Sequence, residues 1–155
     1  MKVIFLDFDG VLNSVRYDRE RAPGDTNNID VTRLPLLKEI VDRSGAKIVL
    51  STSWRIYWDR DESLCEPIGQ WINELFAQYG LSIFDKTITI SSSDRDQEVR
   101  RWLSAHDGEV EAFVILDDIA FGWGDLSDHL VRTHPRIGRG LEREHVERAI
   151  ALLTE

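Results

Sequence analysis

A short apolar run near the start of the chain ends abruptly in two aspartates. Val3 to Leu6 is apolar and partly β-branched, which predicts a strand that is buried on both faces of a sheet. Asp7 and Asp9 follow, and alternation along an extended chain would point both side chains toward the same small volume. The carboxyl ends of such strands are where open α/β sheets bind their ligands. Taken alone, the pattern also fits a turn in which one aspartate caps the chain before Gly10 and the other is solvated.

Apolar runs and amphipathic segments alternate along the rest of the chain. Further strands are predicted at 47–50, at 83–84 with 87–90, at 112–116 and at 129–133. Helices are predicted from Asp30 or Thr32 to Gly45, from Pro67 to Gly80, from Arg95 to His106 with caps within Ser91 to Asp94, and from Glu142 to Leu153. This alternation predicts an α/β fold in which helices cover both faces of a parallel sheet.

The segment between the first strand and the first of these helices is rich in turn-forming residues. Val11 to Ile29 is therefore predicted to be an irregular loop. Three arginines, Arg16, Arg19 and Arg21, lie in it. They are either solvated or part of a flap that offers positive charge to an anionic substrate.

Composition limits the class of protein. The 155 residues and ordinary apolar content predict one soluble domain over residues 1–155, with a monomer as the default state. No apolar run is long enough for a membrane span or a signal-peptide core, and the single Cys65 excludes an internal disulfide and fits the cytoplasm. The net charge of −9 argues against a surface that coats nucleic acid, but it allows a phosphate-handling pocket built around a divalent cation.

A second acidic pair ends another predicted strand. Asp117 and Asp118 follow the run at 112–116, so up to four carboxylates would meet at one edge of the sheet and require a hard cation such as Mg²⁺. Ser51 and Thr52 follow the second strand and can donate hydrogen bonds to a phosphate oxygen, although such residues are also helix caps. Arg55 is either a fork for the substrate phosphate or a surface ion pair. These parts suit phosphoryl transfer, with one carboxylate as nucleophile and another as acid/base.

These motifs resemble three motifs of the haloacid dehalogenase (HAD) superfamily. They stand in the superfamily's order, and the likeness spans nearly the whole chain. The matching segments are Asp7-Phe-Asp9-Gly-Val, the strand that ends in Ser51, and the strand that ends in Asp117-Asp118. Leu50 to Arg55, Ile115 to Asp118 and the later Thr133 to Leu141 segment are similar to a narrower group, the small HAD domains of bacterial Swiss army knife RNA-repair proteins.

The resemblance implies a fold and a role for each residue. The fold is a three-layer α/β/α sandwich with a five-stranded parallel sheet in the order 5-4-1-2-3. Asp7 would form an aspartyl-phosphate, and Asp9 would act as acid/base and contribute a backbone carbonyl to Mg²⁺. Ser51 would bind the phosphoryl group, while Asp117 and Asp118 would hold the metal. An aspartate two residues after the nucleophile is the phosphatase pattern of the superfamily.

The chain departs from the superfamily at the third motif, where a lysine usually precedes the last acidic pair. No lysine lies between Lys86 and Asp117, and Lys86 itself precedes the expected position. Arg95 is therefore the predicted substitute, ahead of Arg100 and Arg101. Arginine keeps the charge but changes the geometry.

Neither usual insertion point has room for a full cap domain. In this superfamily a capless site goes with macromolecular or extended substrates, which makes a nucleotide or a nucleic-acid end a candidate substrate. Four aromatic residues near the predicted strand ends are either core or platforms on which bases stack: Trp54, Tyr57, Trp58 and Trp123.

Two alternatives to a phosphatase follow from the same residues. A phospho-acceptor signalling module also gathers aspartates, Mg²⁺ and a hydroxyl residue on a similar sheet. Its phosphorylated aspartate ends the third strand and its acidic pair follows the first, whereas here the pair follows the fourth strand. The second alternative is a HAD domain that binds a phosphorylated partner without turnover, for which Arg95 in place of lysine is the best support.

Overall fold

Five parallel strands form one sheet in a computed structural model, which describes residues 1–90 and 94–155. They are β1 (Lys2–Leu6), β2 (Lys47–Leu50), β3 (Ile83–Lys86), β4 (Ala112–Asp117) and β5 (Leu130–Arg132). Their order across the sheet is β3-β2-β1-β4-β5, and every neighbouring pair is parallel. The predicted α/β fold and the strand order 5-4-1-2-3 are therefore confirmed.

Helices cover both faces of the sheet. They are α1 (Val15–Glu20), α2 (Leu34–Ser44), α3 (Pro67–Gln78), α4 (Arg95–Ala105) and α5 (Arg143–Thr154). The apolar faces of α2, α3 and α5 pack with Ile4, Leu6 and their counterparts on one face of the sheet. The side chains that alternate with these along β1, Val3 and Phe5, pack with α4 on the other face. The period of two along each strand thus divides the core into two layers.

Two predicted boundaries were wrong. The segment Val11 to Ile29 is not wholly irregular, because it contains α1. Ser14 is the N-cap of this helix, and its hydroxyl accepts a hydrogen bond from the Tyr17 amide (3.1 Å). The third strand ends at Lys86 and does not include residues 87–90. The neighbouring strand β2 ends at Leu50, whose carbonyl accepts a hydrogen bond from the Thr87 amide (2.9 Å). Residues after Thr87 therefore lie beyond the end of β2 and cannot pair with it.

The helix predicted from Arg95 begins at that residue. Ser91 to Ser93 lie outside the described residues. Asp94 precedes the helix, and within the described part of the chain its side chain caps no backbone amide.

Within residues 1–90 and 94–155, no cap domain covers the carboxyl edge of the sheet. The connection from β1 to β2 consists of α1, a short 3-10 turn at Val31–Arg33 and α2. The connection from β2 to β3 consists of 3-10 turns at Ser53–Tyr57 and Glu62–Leu64, followed by α3. Among the described residues no helix is both long and apolar enough to cross a membrane.

Candidate active site

Three carboxylates meet at the carboxyl edge of the sheet. β1 and β4 are neighbours, and Leu6 pairs with Leu116, so the aspartates that follow, Asp7 and Asp117, lie side by side. The Asp7 amide continues the ladder by donating to the Leu116 carbonyl (3.0 Å). One oxygen each from Asp7, Asp117 and Asp118 lies within 4.8 Å of the others. The sheet register therefore assembles acidic residues that are about a hundred positions apart in the chain.

A single arginine bridges two of these carboxylates. Arg95 is the first residue of α4, and its Nη1 lies 2.9 Å from Oδ2 of Asp7 and 2.9 Å from Oδ2 of Asp117. Lys86 lies elsewhere, because its Nζ donates to the carbonyls of Arg55 (3.2 Å) and Trp58 (2.5 Å). The basic group beside Asp7 is thus an arginine from the start of α4.

One guanidinium does not balance the charge of the cluster. Burial, followed by repulsion from Asp117, raises the pKa of Asp7 to about 7 despite the opposing effect of Arg95. Burial also raises the pKa of Asp117. Three carboxylates against one cation leave an excess of negative charge in a site of oxygen ligands alone. This donor set fits a hard divalent cation such as Mg²⁺.

Asp9 lies outside this cluster and faces the solvent. Its Oδ1 accepts from Asn13 Nδ2 (3.0 Å) and its Oδ2 from Trp54 Nε1 (3.3 Å), so two neutral donors orient the carboxylate. Asp7 and Asp9 line the same open cleft of about 410 Å³. The chain turns directly after Asp9, at Gly10, whose φ of +87° favours glycine.

Ser51 lies at the same carboxyl edge of the sheet, directly after β2. It is fully buried, and its amide donates to the Leu6 carbonyl (2.9 Å), next to Asp7 in the sheet. Within residues 1–90 and 94–155 its hydroxyl oxygen is buried and has no hydrogen-bond partner. Because an unpaired buried hydroxyl is costly, this group is poised to donate to a ligand oxygen.

Comparison with known families identifies the chain. A family model described as "HAD domain in Swiss Army Knife RNA repair proteins" matches residues 3–146, nearly the whole chain. The chain belongs to this HAD family. Searches among curated proteins and among solved structures found no match. Membership supports a HAD-like phosphohydrolase as the general class of the protein.

Two residues that were predicted to bind phosphate or substrate have structural partners in this HAD domain. Thr52 is buried, and its Oγ1 accepts from the Trp54 amide (3.3 Å), which makes it the cap of the 53–57 turn. Arg55 is also buried and forms an ion pair with Glu98. Its Nε donates to Thr89 Oγ1 (3.0 Å) and its Nη1 to the Thr52 carbonyl (3.2 Å). Each guanidinium nitrogen of Arg55 is therefore already paired within the protein.

The aromatic residues separate into core and rim. Trp58 and Trp123 are only 4% and 2% exposed, so of the two alternatives these residues belong to the core and offer no platform for bases. Trp54 and Tyr57 are half-buried and line a depression of about 380 Å³. Ser53 lines both that depression and the cleft with Asp7, so these two aromatics border the cleft.

Asn13, one of the turn-forming residues in the segment Val11 to Ile29, organises the turn after β1, and its contact with Asp9 was not predicted from the sequence. Its Oδ1 accepts from the Gly10 amide (2.8 Å), and its Nδ2 donates to Asp9. The signal was an asparagine four residues after the second aspartate, within a tight turn. A larger cavity of about 560 Å³ lies between β3 and α4, where Trp102 and His106 line it, but it holds none of the clustered carboxylates.

Proposed function

We propose that the protein is a Mg²⁺-dependent phosphohydrolase that cleaves phosphomonoesters through an aspartyl-phosphate on Asp7. The observation that carries the proposal is the neighbourhood of Asp7. Two further carboxylates and Arg95 surround it, and it shares an open cleft with Asp9. A nucleophile, an acid/base and a site for a cation and a phosphate are the parts that phosphoryl transfer needs.

In the first half of the proposed reaction, a carboxylate oxygen of Asp7 bonds to phosphorus as the bond to the leaving oxygen breaks. Asp9, protonated at that moment, gives its proton to the leaving oxygen. In the second half, a water oxygen bonds to phosphorus, the bond to Asp7 breaks and inorganic phosphate leaves. The proton of that water passes to Asp9, which restores its acid form.

The carboxylates of Asp7, Asp117 and Asp118 would hold Mg²⁺, together with the backbone carbonyl of Asp9 that the family resemblance implies. When bound, Mg²⁺ would neutralise charge on the phosphoryl group. The Ser51 hydroxyl would donate to a phosphoryl oxygen. Arg95 would orient Asp7 and add positive charge at the same place.

The proposed substrate is a nucleotide or a phosphorylated nucleic-acid end. The cleft is open, and no cap domain formed by the described residues covers it, so a long substrate can reach Asp7 with its terminal phosphate. Trp54 and Tyr57 border the cleft, where they offer aromatic surface to a base. The proposal implies a phosphorylated partner that binds at the edge of the sheet.

The test is phosphate release with and without EDTA by the wild type, Asp7→Asn and Asp128→Asn. The substrates are an aryl phosphate, nucleotides, and oligonucleotides phosphorylated at the 5′ or 3′ end. Asp128 is exposed and outside the site, so Asp128→Asn is the matched control and should behave as wild type. We expect Asp7→Asn and EDTA each to abolish release, and full activity of Asp7→Asn would refute the mechanism.

One observation favours the alternative of a HAD domain that binds without turnover. Both carboxylate oxygens of Asp7 have partners: Oδ1 accepts a hydrogen bond from the Phe8 amide (2.9 Å), and Oδ2 forms an ion pair with Arg95 (2.9 Å). A paired oxygen is a weaker nucleophile. Under this alternative the wild type would bind Mg²⁺ and a phosphorylated ligand, measured by calorimetry, but would release phosphate from none of the substrates.

A further inference from the structure

A second depression adjoins the catalytic cleft. Its volume is about 250 Å³, and residues 132–137 line it together with Asp118. Asp118 and Pro135 line both this depression and the cleft that holds Asp7. The two spaces therefore share a wall, and a group bound in one is a direct neighbour of a group bound in the other.

Positive charge is concentrated around this second depression. Residues 129–141 include three arginines and two histidines and no aspartate or glutamate, although the chain carries a net charge of −9. Arg139 forms an ion pair with Glu20 (3.1 Å). Arg132 and Arg136 are exposed and line the depression, and neither forms an ion pair with any described residue. Two guanidinium groups are thus available to an anion from outside the chain.

The segment that carries these arginines is held firmly against the carboxyl edge of the sheet. Four hydrogen bonds tie it to residues that follow β1 and end β4. They run from Thr133 Oγ1 to the Gly10 carbonyl (2.7 Å), from the Thr133 amide to the Asp117 carbonyl (3.0 Å), from the Leu141 amide to the Val11 carbonyl (2.8 Å) and from the Val15 amide to the Pro135 carbonyl (3.0 Å). A fixed frame reduces the entropy that ligand binding costs.

We propose that Arg132 and Arg136 form a second anion subsite, which takes a phosphate of the substrate other than the one that is cleaved. This inference rests on the proposed function of the Asp7 site. Guanidinium groups match phosphate oxygens in geometry and stay charged at any physiological pH. The substrate class that fits is a phosphomonoester with a second phosphate nearby, either a nucleoside bisphosphate or the end of a nucleic-acid strand.

Asp118 is the one carboxylate in the wall of this subsite, and it does not oppose the assignment. Its carboxyl group lies against Gly10, where an added Cβ would be 2.6 Å from Asp118 Cγ. One of its oxygens belongs to the cluster with Asp7 and Asp117. Its charge is therefore directed to the catalytic side of the shared wall.

The test compares kcat/KM for substrates with and without a second phosphate. The substrates are a 5′-mononucleotide, a nucleoside 3′,5′-bisphosphate and a 5′-phosphorylated dinucleotide, and the last two distinguish a free nucleotide from a strand end. We expect the wild type to prefer the substrates with two phosphates. Arg132→Gln and Arg136→Gln should each reduce that preference about tenfold, the effect of one lost charge-assisted hydrogen bond. Arg148→Gln makes the same charge change on an exposed position of α5 and should keep the preference.

Each outcome decides the inference. A wild type that cleaves the mononucleotide but shows no preference for the second phosphate would overturn the subsite and leave the proposed function standing. The subsite would also be overturned if Arg132→Gln and Arg136→Gln kept the preference for the second phosphate as Arg148→Gln does. If the wild type cleaves none of the substrates, the proposed function fails, and the subsite is tested by fluorescence anisotropy with a labelled 5′-phosphorylated oligonucleotide. Equal affinities for Arg136→Gln and Arg148→Gln would then overturn it.

Discussion

The buried ion pair between Arg55 and Glu98 should stabilise the carboxyl edge of the sheet. Arg55 is 5% exposed and Glu98 2% exposed. The pair joins the turn after β2, which follows Ser51, to α4, which begins with Arg95. Burial lowers the pKa of the Arg55 guanidinium, while the charge of Glu98 opposes this effect. The guanidinium nevertheless stays charged at neutral pH. Removal of either partner therefore leaves an uncompensated charge in the interior.

Arg55→Met and Glu98→Leu should each lower the free energy of unfolding by about 3–5 kcal/mol, the cost of an unpaired buried charge. Glu98 Oε2 also accepts from the Ile90 amide (2.9 Å), so its loss leaves a further group unpaired. The double variant removes both charges and should cost less than the sum of the two, with a coupling free energy of at least about 2 kcal/mol. The free energy of unfolding of a domain of this size is about 5–15 kcal/mol. Each single variant should therefore still fold, with a markedly lower stability.

The measurement is urea unfolding followed by the fluorescence of the five tryptophans, with the wild type and all three variants at one pH. The matched control is Glu147→Gln, which breaks a surface ion pair with Arg43 (3.0 Å) whose side chains are about half exposed. Solvent screens that pair, so the control should stay close to wild type. Single variants that cost less than about 1 kcal/mol, or costs that simply add in the double variant, would refute the reasoning.

Three further predictions concern the site and the fold. Arg95→Met should lower kcat/KM about 100-fold, as the loss of a preorganised charge does, while Arg95→Lys should retain more activity; equal losses would show that geometry rather than charge matters. Gly10→Ala should cost about 1–2 kcal/mol in urea unfolding, since a side chain is strained at φ +87° and would push Asp118; an unchanged midpoint would contradict this. His145→Gln should flatten the loss of stability on acidification. Burial lowers the pKa of His145 from its ordinary 6.5, so the unfolded chain takes up the proton first, and stability present above pH 6.5 declines as the pH falls through the folded-state pKa. His145 Nδ1 accepts from the Glu142 amide (2.9 Å), a bond that glutamine can keep, and parallel acid curves for the two proteins would contradict the prediction.

The strands, the long helices and the acidic strand ends were predictable because their signals are local. Apolar runs and a period near 3.6 mark elements wherever they finally pack. Asp7, Asp117 and Ser51 were each found as the polar residue that ends an apolar run. The α1 helix was missed because its start depends on one capping bond from Ser14, a weak signal among many turn-forming residues.

The partners of Lys86 and Arg55 were not predictable from the sequence. Both residues lie near strand ends, and the chain order does not tell which acceptor each will reach. In the fold, Lys86 donates to backbone carbonyls and Arg55 pairs with Glu98. Long side chains choose among acceptors that are brought together only when distant segments pack, so residue type alone leaves the outcome open.

The sequence by itself determined the class of fold and the chemical character of the strand ends, because hydrophobic periodicity and residue chemistry are properties of short segments. The tertiary structure decided which ends meet. The pairing of β1 with β4 sets Asp7 beside Asp117, and the hydrogen bonds of Thr133 and Leu141 bring Arg132 and Arg136 to the same edge. These contacts join residues about a hundred positions apart, and sheet register, which no short segment encodes, is what aligns them.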